Sequence, residues 1–85
     1  MTNRSFASVA QLRGIEDGRQ RLGMTPLGLW IGYFAVGGNG TLGDITSWLS
    51  GSTRLSVRDY DLLAQAMNDA FTVQGLNHPV PYSTD

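Results

Sequence analysis

Three times along this chain a serine or threonine able to cap a helix is followed, one helix length later, by a glycine able to end it. The pairs are Thr25 with Gly37, Thr41 with Gly51, and Ser56 with Gly75. A capping hydroxyl accepts the unpaired N–H groups of a first helical turn, and glycine adopts the left-handed conformation that satisfies the last carbonyls. A chain punctuated this way is restricted to helices with short joints. The reading is an all-α fold: one domain, residues 1–85, built as a small bundle of four helices with an extended, proline-containing C-terminal tail.

Helix one is expected over about 5–22, because Phe6, Val9, Leu12, Ile15 and Leu22 recur at three- and four-residue steps. Gly14 and Gly18 interrupt that pattern, each at a cost of about 1 kcal/mol relative to alanine, so a break there is open. Helix two, 26–36, opens on Thr25-Pro26, and Pro26 at the first helical position has no N–H to leave unpaired. Leu27, Leu29, Trp30, Ile31, Tyr33, Phe34 and Val36 surround it with apolar side chains, which predicts a fully buried central helix with Trp30 and Phe34 in the core. Gly28 and Gly32 are then points of close approach for a neighbour. Gly37-Gly38-Asn39-Gly40 is a turn whose residues tolerate positive φ.

Helix three is expected over 42–50, with Thr41 and Asp44 as a capping pair. Helix four, 57–74, has Ser56 and Asp59 as a capping box and Tyr60, Leu63, Ala64, Met67, Ala70 and Phe71 facing inward. In the tail, Pro79 and Pro81 impose extended geometry on their predecessors. Val80 and Tyr82 are expected to fold back onto the bundle.

The residues left for chemistry are few. There is no cysteine, which excludes disulfides and thiolate metal sites, and a single histidine, His78. Glu16 and Asp17 are sequence neighbours, and Asp59 and Asp61 are two apart, so neither pair shares a helix face. No catalytic residue, metal ligand or cofactor site is identified, and the chain is read as not an enzyme. The glycine turn lacks both the preceding strand and the lysine of phosphate-binding loops. Net charge is −1 with the signs intermixed, so nothing in the charge attracts an anionic membrane or a polyanion. The stretch from Leu27 to Val36 is about half of a membrane span, and no apolar leader opens the chain. A cytoplasmic location is expected.

Two functional readings remain. The first is a non-enzymatic regulatory or adaptor domain that acts through protein–protein interaction, fitting bacterial signalling or transcription control. Phe6, Trp30, Tyr33, Phe34, Trp48, Tyr60, Phe71 and Tyr82 are many rings for a small bundle, and rings left exposed beside arginine make interface anchors. Arg54, Arg58, Tyr82 and Trp48 are the candidate partner-binding residues, and the partner is another protein, a second copy in a homodimer, or both. The alternative follows from Gly23-Met24-Thr25, then Ile45-Thr46-Ser47-Trp48-Leu49-Ser50-Gly51, then Leu55 to Asn68. This run resembles bacterial repressor-type helix-turn-helix domains. The resemblance implies a DNA-binding regulator with helix three as recognition helix and Arg54, Arg58 and Ser47 as candidate DNA contacts. The chain departs from that family in a longer interval between Thr25 and Ile45, and in a helix three that carries Asp44 and neither arginine nor lysine.

Overall fold

The computed structural model of the chain describes residues 6–76 and 80–83. These contain four helices, α1 (Val9–Leu22), α2 (Pro26–Ala35), α3 (Leu42–Ser50) and α4 (Val57–Val73). Among the described residues, strand-like pairing is confined to one antiparallel bridge, Phe6 with Ser56. The expected all-α bundle is the observed one.

Capping explains why the elements begin and end where they do. Ser8, Thr25, Thr41 and Ser56 all have extended backbones, and each side chain accepts the N–H three residues on. Each such cap contributes about 1 kcal/mol. At the other ends, glycines 23, 37, 51 and 75 have positive φ. All four helices close with the same backbone bond from five residues ahead: Met24 to Arg19, Gly38 to Tyr33, Ser52 to Ser47 and Leu76 to Phe71, each 2.9 Å. This is the Schellman ending, repeated throughout.

Helix one differs from expectation at its start. It begins at Val9, because Ser8 and Gln11 form a reciprocal capping box, with Ser8 N–H donating to Gln11 Oε1 at 2.9 Å and Gln11 N–H to Ser8 Oγ at 3.0 Å. Phe6 therefore lies outside the helix, and Ala7 N–H donates to the Leu55 carbonyl at 2.7 Å. The helix runs unbroken through Gly14 and Gly18. Gly18 packs closely on α4, and a Cβ there would stand 2.6 Å from Met67 Cε, the end of a flexible side chain that would have to shift. Helices α2 and α4 each end one residue earlier than expected, at Ala35 and Val73.

The core is a single cluster to which all four helices and the tail contribute. Ile15 comes from α1, Leu29 and Tyr33 from α2, Ile45 and Trp48 from α3, and Tyr60, Leu63, Ala64, Met67 and Phe71 from α4. Helix α4 is the hub, packing on both α1 and α2. Gly32 lets α2 approach, a Cβ there reaching Ala66 at 3.3 Å, whereas Gly28 faces only Met24 and Thr25 of its own segment.

Helix two is not buried all round. Leu29 and Tyr33 are fully buried, but Phe34 is 61 % exposed, and Leu27 and Ile31 also face solvent. A bundle of this size has only one core for a helix to face, and one arc of α2 fills its share of it. The tail does return to the bundle: Val80 is 5 % exposed, while Tyr82 stays on the surface.

Burial separates two substitutions on α2. Leu29→Ala should destabilise the domain by about 2–5 kcal/mol, whereas Phe34→Ala should shift it by about 0.5 kcal/mol or less. Urea unfolding of the two variants, followed by circular dichroism, measures both. A larger loss in the Phe34 variant would place that ring in the core.

Candidate functional site

The outer arc of α2 is the candidate site. Leu27, Ile31 and Phe34 follow at steps of four and three, which places them on one helix face. They are 50 %, 56 % and 61 % exposed. Helix α2 contains no charged residue, so nothing polar interrupts the arc between them. Trp30 flanks the arc half-buried, its ring centroid 5.6 Å from that of Phe34.

The arc faces outward because the opposite side of the helix is fixed by hydrogen bonds as well as by packing. Tyr33 is fully buried, and a buried hydroxyl must be paired. Its hydroxyl donates to Asp59 Oδ1 at 2.8 Å, in the first turn of α4, and accepts Gly40 N–H at 2.9 Å. Asp59 is held in turn by Ser56, whose Oγ donates to Oδ2 at 2.9 Å and accepts Asp59 N–H at 3.1 Å. The Ser56–Asp59 capping box is thus only half formed. The Asp59 carboxylate is taken by the tyrosine and the serine hydroxyl rather than by the capping backbone.

The same ring explains the glycine turn. Within it only Gly37 has positive φ. Gly38 and Gly40 are small for another reason: a Cβ on Gly38 would lie 2.3 Å from the Tyr33 ring, and one on Gly40 would lie 2.9 Å from both Tyr33 Oη and Trp48. Trp30 Nε1 donates to the Gly40 carbonyl at 3.0 Å. Both polar groups of Gly40 are therefore bound by side chains of α2, and the turn is fastened along the flank of the arc.

The residues singled out from sequence have separate fates. Trp48 is 8 % exposed and meets Tyr33 edge-on at 5.9 Å, so it is a core residue and offers a partner almost no surface. Arg54 lies 5.0 Å above the Phe6 ring, a cation–π contact at the surface. Arg58 is exposed in the first turn of α4. Ser47 is half-buried, and its carbonyl accepts Ser52 N–H in the α3 ending. Tyr82 sits on the tail, and His78 lies outside the described residues. None of these residues belongs to α2 or to its exposed arc. Sequence reasoning missed the arc itself; its spacing was visible, but a helix apolar all round gives no sign of which side faces out.

The acids are largely committed. Asp44 completes the Thr41 capping box, Glu16 pairs with Arg19, Asp59 holds Tyr33, and Asp61 holds the tail. Among the described residues no group of three or more histidines, cysteines or acids could hold a metal ion. No described helix is long and apolar enough to cross a membrane. Comparison with protein-family models, with characterised proteins and with solved structures finds no match for the chain.

Burial raises the pKa of Tyr33 above its ordinary 10.0, with the Gly40 N–H opposing and Asp59 reinforcing the shift. The unfolded chain thus releases this proton before the folded one, and stability falls as pH rises beyond 10. Tyr33→Phe should lose about 1–3 kcal/mol at neutral pH through the unpaired Gly40 and Asp59 groups. It should also lose part of the alkaline fall shown by the parent. Urea midpoints of both proteins at pH 8 and pH 11 measure this; parallel alkaline losses would show that Tyr33 does not contribute.

Proposed function

We propose that the protein is a non-enzymatic regulatory or adaptor domain that acts by docking on protein surfaces, and that one such surface is a second copy of the same chain. The observation that carries this reading is the apolar arc Leu27–Ile31–Phe34 on a helix without charge. Three half-exposed side chains of this size present on the order of 300 Å², comparable to the largest apolar patch on a typical monomer and commonly functional at that size. Two copies laid α2 against α2 about a two-fold axis would bring no like charges together, because the helix has none. A stable interface covers about 800 Å² per partner, so the arc serves as its apolar centre within a wider rim.

The DNA-binding reading draws less support. The exposed positions of α3 are Leu42, Gly43, Asp44, Thr46 and Ser50, with no cation among them. The positive end of α4 already carries the Asp59 carboxylate in its first turn. Arg54 is stacked on Phe6, and Arg19 donates to Glu16 and, at 2.8 Å, to the Met24 carbonyl. The parent protein is expected to show no saturable, salt-sensitive affinity for duplex DNA. Such affinity, abolished by Arg54→Glu with Arg58→Glu, would reverse the order of the two readings.

Light scattering tests the docking surface. At about 100 μM, well above the micromolar range of many specific complexes, the parent should have twice its 9.2 kDa chain mass. Ile31→Glu with Phe34→Glu should be monomeric and melt within a few degrees of the parent. A monomeric parent would remove self-association from the proposal.

A further inference from the structure

The C-terminal segment is held on α4 in the manner of a bound peptide. The Asn68 carboxamide engages both main-chain polar groups of Val80: Nδ2 donates to its carbonyl at 3.1 Å, and Oδ1 accepts its N–H. Tyr60 Oη donates to the Pro81 carbonyl at 2.5 Å. Asp61 accepts Ser83 N–H at Oδ1 and Ser83 Oγ at Oδ2, both at 2.7 Å. The Val80 side chain is almost wholly buried.

These contacts come from one face of one helix. Asn68 is eight residues from Tyr60, with Ala64 midway, so the three are stacked along α4, and Asp61 borders the row. Ala64, fully buried, belongs to the same core cluster as Val80. Burial of Val80 would have been enough to fasten a tail. The additional side-chain bonds to successive main-chain groups are the signature of extended-peptide recognition, where backbone contacts give affinity and a pocket gives selectivity. Proline in the segment has no N–H to satisfy and stiffens it in extended form, which reduces the entropy lost on binding.

We propose that the Tyr60–Asp61–Asn68 face of α4 is a peptide-binding site that the chain's own C-terminal segment occupies in cis. Its ligand in trans is an extended segment of a partner protein with the same chemistry: a β-branched apolar residue, proline next, and a hydroxyl residue two positions after the proline. The tail is then a built-in competitor whose release opens the site. The site is on α4 and does not depend on the α2 arc.

The test uses the whole 85-residue chain with its tail weakened in two ways. Val80→Asp removes the buried anchor, and Ser83→Asp sets a carboxylate against Asp61. A synthetic peptide of residues 76–85 is titrated into each isotope-labelled variant and followed by two-dimensional NMR, which also reports the fold. A tethered competitor acts at an effective concentration of about 1 mM, so the parent should respond weakly. Both variants should show saturable shifts at Tyr60, Asp61 and Asn68. Adding Asn68→Ala should weaken binding about tenfold, the loss of two hydrogen bonds. Folded variants with no shifts at those residues at about 1 mM peptide, where a millimolar Kd is half saturated, would overturn the proposal. So would unfolding of the Ser83→Asp variant, which would make the segment an indispensable part of the core rather than a replaceable occupant.

Discussion

The Tyr33 hydroxyl is the joint on which this structure turns. It accepts from Gly40 and donates to Asp59, so one oxygen links α2, the glycine turn and the first turn of α4. A fully buried hydroxyl bonded on both sides sets the rotation of its helix, because turning α2 would break its bonds to Gly40 and Asp59 and leave the hydroxyl buried without a partner. The ring adds a second constraint. It presses so closely on Gly38 that no side chain fits there, and Trp30 fastens the far end of the turn through the Gly40 carbonyl.

The outward arc of α2 is the geometric consequence. With Leu29 and Tyr33 directed at the core and Gly32 against Ala66, the remaining side of an apolar helix faces water. Leu27, Ile31 and Phe34 are therefore displayed on a rigid element at fixed spacing. This is why the docking surface we propose is that arc and not Trp48, which the core uses.

Helix α4 distributes its polar residues in opposite directions. Asp59 and Asp61, two apart, point to different sides of the helix. The first stabilises the joint with α2, and the second holds Ser83. Between them Tyr60 sends its ring into the core and its hydroxyl to Pro81. The helix that organises the core is thus also the one that receives the tail, and Tyr60 takes part in both roles.

What the sequence by itself determined is the helix punctuation. Thr25, Thr41, Ser56, Gly37, Gly51 and Gly75 act where they were read to act, because a cap bonds to backbone three to five residues away and needs no tertiary partner. Ser8 with Gln11 carried the same signal for α1, but the apolar spacing of Phe6 with Val9 pointed to an earlier start. Gly23 carried it at the other end of α1. Tertiary structure alone decided three things: which arc of α2 is buried, that Trp48 is inside and Phe34 outside, and that Gly38 and Gly40 are small to admit the Tyr33 ring. The first two depend on residues far apart in the chain, Tyr33 with Asp59 above all. Hydrophobic spacing places side chains on a helix face, but only packing against the other helices decides which face meets water.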